Sequence, residues 1–403
     1  MEQALQGLKV ADFSWAAVGP LLTKYLGDHG ATVVRVESST SPDIMRTNAP
    51  FKDSQPGINR STYYGFINSN KHSLALDLNH PEGPGVAKRL VAWADVVVEN
   101  FTAGTMEKWG LGYDELRQVK PDIIMVRSCN QGQTGPHARH PGLGFMLVGL
   151  TGFLSFTGWP DRDPAPLPVA YTDLIAPRFG MAALMAALDH RRRTGQGQCI
   201  DISQLETGLH FLAPPLLDYV VNGRQGGRNG NTDPYAAPHG AYRCRGDDRW
   251  CVIAVSTDKE WIAFCGVLGN PEWTAEARFA TLEARKESEA ELNHLVERWT
   301  ADHTPEEVMR KMQAAGVPAG VVQSGKAVCE DPQMNHRGYF WALEHPEIGP
   351  TAYVGEPFLL SGTPAQGNMP SPCLGEHTEH VCREFLHLPD DEFIRLLGEG
   401  VFQ

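Results

Sequence analysis

Short runs of β-branched and other apolar residues alternate, along the first half of the chain, with longer segments whose apolar positions recur at helical spacing. Residues 8–13 (L-K-V-A-D-F) and 32–37 (T-V-V-R-V-E) read as buried strands, with a helix over 18–28 between them. The rhythm continues with strands over 73–78, 95–99 and 122–128 and a helix over 81–94. Strands that alternate with helices imply a parallel sheet covered by helices, an α/β fold of Rossmann-like class. The first strand–helix turn, S-W-A-A-V-G-P, has a single glycine. A dinucleotide fingerprint needs glycines at three set positions, so a nicotinamide cofactor is not expected.

Further along, residues 179–193 form an apolar helical pattern, 199–203 a short strand and 205–221 another apolar helix. The glycine-dense stretch 222–240 marks a change of character. After it come strands over 242–244, 250–255 and 319–323 and helices over 259–267, 287–303 and 306–315, and Thr304, Pro305 and Glu307 signal the start of the last helix. The reading is a large domain over 1–222, a small α/β domain over 223–330, and a return over 331–403 that adds C-terminal helices to the large domain.

Candidate chemistry centres on L-P-V-A-Y-T-D-L-I-A-P-R, where Asp173 is the single carboxyl group among proline, small and apolar residues. Read alone, Asp173 caps the helix that follows, the commoner job for such a residue, or serves as a nucleophile. The long connection 38–70 carries Arg46, Arg60, Tyr63 and Tyr64 and leads to Lys71. The segment 99–111 follows a strand and holds Asn100, Phe101 and Lys108, at the sheet edge where ligands bind in open α/β folds. His137 and His140 share a turn-rich loop without a third ligand at metal-binding spacing, so no metal is expected.

Composition narrows the functional class. With 403 residues, 42% hydrophobic and 21% charged, the chain is globular and long enough for two cores. A formal charge of -13 argues against a nucleic-acid partner, while leaving room for a local basic site that takes an anionic ligand. The eight cysteines form no C-x-x-C pair, which fits a reducing, cytoplasmic setting. No signal peptide is read at the N-terminus, and no apolar run approaches the roughly 18 residues of a membrane span.

Taken in order, L-x-G-L-K-V-x-D-F with a following G-P, G-A-x-V-V-R-V-E, N-S-N-K-x-S-L-A-L-D-L, D-V-V-V-E-N-F, the Asp173 stretch, T-G-x-G-Q-x-I-D-I-S and L-G-E-H-T give the chain its likeness. It resembles the family III CoA-transferases, the group of formyl-CoA transferase and the carnitine CoA-transferase, over essentially its whole length. The resemblance implies that Asp173 is the nucleophile and that coenzyme A is held by Ala17, Val18, Leu76, Asn100 and Phe101. Lys108 stands where formyl-CoA transferase has an arginine, which keeps charge but loses bidentate phosphate recognition. Ser38 replaces another phosphate-binding arginine, leaving Arg46 and Lys71 as candidates to compensate.

The implied reaction moves CoA from an acyl-CoA donor, succinyl-CoA, to a carboxylic acid, without a metal, through an aspartyl mixed anhydride and an aspartyl-CoA thioester. The resemblance further implies two chains interlaced in a dimer, either two copies of this chain or this chain with a paralogue. The family also contains α-methylacyl-CoA racemases, whose histidine base would fall where this chain has Leu143. A silent subunit of a mixed dimer is the other alternative, against which Asp173 argues. Gly144 replaces a glutamate of formyl-CoA transferase and suggests a roomier pocket. The wording around Gly144 and Asp173 is similar to the branch containing succinyl-CoA:benzylsuccinate CoA-transferase, so a bulky or aryl-substituted dicarboxylate is the expected acceptor.

Overall fold

Lys9–Asp12 (β1), Thr32–Glu37 (β2), His72–Ala75 (β3), Val96–Glu99 (β4), Ile124–Cys129 (β5) and Cys199–Ser203 (β6) build one six-stranded sheet in the computed structural model, which describes residues 2–403. The order is β3-β2-β1-β4-β5-β6 and every pairing is parallel, with Val10 opposite Val33 on one side and Val96 on the other. The direction of winding reverses at β1 and β4, which places the expected ligand crevice at the carboxyl ends of these two strands.

Alternation of side chains along each strand divides the apolar residues between two faces. Val10, Val33, Val96 and Ile124 pack with Leu22 and Leu26 of α1 (Val18–Asp28) and with Leu184 and Ala187 of the long helix Tyr171–Thr194. Ala11, Val34, Val97 and Met125 face the other way, where Leu90 and Val91 and the C-terminal residues Phe393, Leu396 and Val401 cover them. The sheet is therefore buried on both sides, as continuous β-branched runs require.

Two helical segments differ from the sequence reading. The long helix begins at Tyr171, ahead of the expected 179, and runs through Pro177. Pro177 has no N–H to donate to the carbonyl of Asp173, so local propensity signals a break that tertiary packing overrides. The expected helix over 205–221 is instead Gln204–Leu209 and Ala213–Asn222, separated by a 3-10 turn, with Pro214 and Pro215 in the first turn of the second piece.

By contact the chain divides into two units: Met1–Phe153, Leu167–Gln225 and Pro332–Gln403 form the first, and Leu154–Pro166 with Gly226–Asp331 the second. Residues 154–166, which the sequence reading keeps with the first domain, pack on the second unit: the Gly230 amide donates to the Gly158 carbonyl at 2.9 Å and Gly230 lies against the Trp159 ring. That unit has an antiparallel sheet of His239–Arg243 (β7), Trp250–Ala254 (β8) and Ala319–Val321 (β9) over a core that includes Ile253, Phe264, Phe279 and Val308. Its helix Pro305–Ala314 starts at the Thr304–Glu307 capping box that the sequence signals. The returning segment adds a hairpin of Phe340–His345 (β10) and Gly349–Val354 (β11) to the first unit.

Candidate active site

A buried polar network shapes the sheet edge. Asp12, at the end of β1, accepts from the Ser14 amide and hydroxyl, the Thr23 hydroxyl at 2.6 Å and Lys71 at 3.1 Å. Arg35 bonds Glu37 at 2.8 Å and also pairs with Asp43, whose carboxylate accepts from the Ala16 amide. Arg46 bonds Glu37 at 2.7 Å and the Tyr64 hydroxyl at 2.6 Å. Arg35 and Arg46 hold the Glu37 carboxyl down to about 2, against burial, which would raise it.

This corrects the reading of Arg46 and Lys71 as phosphate ligands, because both are fully buried and committed to internal partners. Removing either leaves an uncompensated buried charge, at a cost of about 3–5 kcal/mol. The network braces the turn after β1, where Arg35 donates to the Ser14 carbonyl and Lys71 to the Pro20 carbonyl. Asn100 works on the same turn: its carbonyl oxygen accepts from the Trp15 amide at 2.7 Å and its amide donates to the Trp15 carbonyl at 2.6 Å. Ala17 and Val18 are buried at the start of α1. Gly19 is required there, since a Cβ would fall 2.1 Å from the Cβ of Ser14.

Beside this turn, Phe101 packs edge-on against Trp15 at 5.6 Å and Trp109 at 5.5 Å. These rings, with Ser38 and Leu76, line a narrow slot of about 60 Å³ at the carboxyl ends of the central strands. Next to it, a wide cleft of about 1040 Å³ is lined by Lys108, Arg127 and Arg139 among others. Arg127 is tied to Glu99 at 2.7 Å and Glu107 at 2.7 Å. The side chains of Lys108 and Arg139 are exposed and have no hydrogen bond or ion pair among the described residues. Trp15, Trp109 and Arg139 were not singled out from the sequence. The only signal for Arg139 is its place in the loop after β5, at the same sheet edge.

Asp173 sits in the first turn of the helix Tyr171–Thr194, three residues after the N-cap position Ala170, and its amide donates to the Ala170 carbonyl at 2.9 Å. It is thus inside the helix and is not the cap residue. Its half-buried carboxylate rests on Gly144, the first residue of the short helix Gly144–Leu150: a Cβ at Gly144 would lie 2.3 Å from Oδ1 and 2.5 Å from Oδ2. Burial pushes up the phenol pKa of Tyr63, on the helix Thr62–Asn68 (α2), and the charge of the nearby Asp173 adds to the rise. Burial raises the Asp173 carboxyl to about 7.

Residues 5–378 match the family described as CoA-transferase family III. The chain belongs to that family. This family III CoA-transferase is 33% identical to succinyl-CoA–D-citramalate CoA-transferase of Chloroflexus aurantiacus, over 98% of each chain. It is 34% identical to succinate–glutarate CoA-transferase of Agrobacterium fabrum, over 94% of this chain and 95% of that one. Among solved structures, a CaiB/BaiF family protein from Brucella suis superposes with a TM-score of 0.88 at 31% identity, covering 96% of this chain and all of the other. The substrates of such an enzyme include a CoA thioester. Among the described residues no group of three or more His, Cys, Asp or Glu is arranged to hold a metal, and no helix is long and apolar enough to cross a membrane.

For this CoA-transferase the carboxyl raised to about 7 has two consequences. With Asp173 as the nucleophile, which would react as the anion, kcat/KM is expected to fall as pH drops below about 7, as a single-proton acid limb in an initial-rate profile. Ionisation of a carboxyl raised above its unfolded value, 3.8, destabilises the fold progressively as pH rises from about 4 to about 7. Asp173→Asn is therefore expected to melt higher than wild type at pH 8, by about 1–2 kcal/mol after allowance for partial exposure, and equally at pH 4.

Proposed function

We propose that this protein transfers CoA from succinyl-CoA to a dicarboxylic acid that carries a bulky or aryl substituent, with benzylsuccinate as the reference acceptor. The observation that carries this reading is the Asp173 carboxylate seated on Gly144, flanked by the exposed apolar residues Leu143, Phe145 and Met146. An apolar rim without a base favours acid exchange at a roomy site over proton transfer. In this reading the adenine lies in the slot of Trp15, Leu76, Phe101 and Trp109, and Lys108 and Arg139 meet the phosphates. The Asp173 carboxylate attacks the thioester carbonyl and expels CoA thiolate, giving a mixed anhydride. The thiolate then attacks the Asp173 carbonyl, releases succinate and leaves an aspartyl-CoA thioester. The acceptor carboxylate reverses both steps.

The names of the relatives favour a second reading for the acceptor alone, an unsubstituted or hydroxylated short dicarboxylate. Succinyl-CoA offered with benzylsuccinate, D-citramalate, glutarate or L-malate, with new thioesters read by mass, decides between them. A kcat/KM highest for benzylsuccinate is expected, and preference for the smaller acids overturns that choice. Exchange of an α-proton of 2-methylacyl-CoA in deuterated water, without acid transfer, overturns the transferase reading itself.

Two copies of the chain, interlaced, form the working enzyme in this reading. The helix Ala213–Asn222 has no buried residue, and Leu217, Tyr219, Val220 and Val221 are more than half exposed, an apolar face that a second copy would cover. Sedimentation at micromolar concentration is expected to give a dimer, and Val220→Asp together with Val221→Asp to dissociate it. A stable, active monomer contradicts this assembly, and dimers formed only on addition of a paralogous chain place the enzyme in a mixed pair.

A further inference from the structure

The helices that begin at Gly144 and at Tyr171 both pack against a third, Gln204–Leu209, and Thr172 lies where they meet. Strand β6 runs directly into this third helix, which Ser203 caps by accepting from the Glu206 amide at 3.2 Å. The Leu205 amide donates to the Asn130 carbonyl, in the loop after β5, at 2.9 Å. The first turn of the helix is thereby tied to the edge of the sheet. Near its other end Gly208 is buried, and a Cβ there would lie 2.7 Å from Cγ2 of Thr151 and 3.2 Å from Cγ2 of Thr172. Thr151 ends the helix Gly144–Leu150 and Thr172 is the second residue of Tyr171–Thr194. Two buried threonine methyls, one from each helix, therefore converge on the space that a missing side chain leaves.

The two threonines use their hydroxyls differently. That of Thr151 bonds the Leu147 and Val148 carbonyls of its own helix, at 2.8 and 3.1 Å. That of Thr172 leaves its own helix and donates to the Gly144 carbonyl at 3.5 Å, a long bond whose energy is small. What matters is where it stands. Thr172 is fully buried and adjoins Asp173, and Gly144 is the residue on which the Asp173 carboxylate rests. A β-branched side chain in a helix has few rotamers, so holding the methyl at Gly208 aims the hydroxyl at Gly144.

We propose that Thr172 is a positioning residue for the transfer reaction: wedged between Gly208 and Gly144, it sets the spacing of the two helices and keeps the Asp173 carboxylate on its seat. The proposal rests on Asp173 as the nucleophile. Thr172 acts through Gly144 and is not itself a reacting group. When the seat is lost the carboxylate turns toward solvent, and its pKa falls from about 7 toward the ordinary value as its reactivity falls.

The test measures loading of Asp173 in a single turnover, with succinyl-CoA and a hydroxylamine quench, beside steady-state kinetics. Thr172→Val keeps the shape and removes the donor. It is expected to lower loading and kcat about tenfold, to leave KM for succinyl-CoA near that of wild type, and to move the acid limb of the rate profile to lower pH. Thr172→Ser keeps the donor and is expected to lose only about twofold, with the acid limb in place. Gly208→Ala displaces Thr172 without altering it and is expected to reproduce the loss and the shift, so it decides the matter should Thr172→Val fail to fold. Wild-type loading in Thr172→Val or Gly208→Ala overturns the inference. So do equal losses in Thr172→Val and Thr172→Ser with the acid limb unmoved, which would leave Thr172 a packing residue. Turnover by Asp173→Asn overturns the reading of the nucleophile, and the inference with it, whereas an inactive Asp173→Asn beside a fully active Thr172→Val overturns the inference alone.

Discussion

Asp173→Asn is expected to lower the transfer rate by about four orders of magnitude or more while leaving CoA affinity near that of wild type. The amide keeps the shape and the place in the helix but has no anionic oxygen with which to form the anhydride. Because the carboxylate makes no hydrogen bond with the described residues that would be lost, and because burial raises it to about 7, the substitution relieves the fold and a loss of activity is not secondary to unfolding. In the wild type, incubation with succinyl-CoA followed by hydroxylamine is expected to convert this side chain to a hydroxamate, located by peptide mass. Hydroxylamine alone is expected to leave it unchanged. Turnover by Asp173→Asn at near wild-type rate, with no deamidation back to aspartate, would falsify the assignment of the nucleophile.

Gly144→Val is expected to produce the next largest effect, a fall of about a hundredfold in kcat with little change in affinity for CoA. The backbone at Gly144 is not in the left-handed region, so a side chain is not excluded by conformation. What excludes it is the Asp173 carboxylate, 2.3–2.5 Å from where a Cβ would stand. The carboxylate is the free end of a side chain and rotates away at small cost, so the fold is expected to survive with the nucleophile displaced. A Gly144→Val enzyme with unchanged kcat would show that the carboxylate does not react from this seat.

The pairing of the two residues marks a limit of what sequence order carries. Gly144 appears along the chain only as the absence of a larger residue, and nothing within several residues of it indicates a carboxylate. Contact between Gly144 and Asp173 arises because the helices that begin near each of them pack together. Arg46 and Lys71 make the same point with opposite outcome. In the sequence each is a cation in or near a long loop, as available for a phosphate as Lys108. Folding buries both beside Glu37 and Asp12, carboxylates on neighbouring strands, and leaves Lys108 in solvent.

The sequence by itself determined the alternation of strand and helix, the buried character of the sheet, the start of the helix at Thr304 and the family likeness. These follow from short-range periodicity, capping residues and motif order, each contained in a few consecutive positions. Tertiary structure alone decided that the long helix passes through Pro177, that 154–166 pack with the second unit, and which cations are free. Propensity and charge belong to a residue wherever it lies, whereas burial and pairing depend on which distant segments meet it, and that is settled only when the sheet is assembled and its faces are covered.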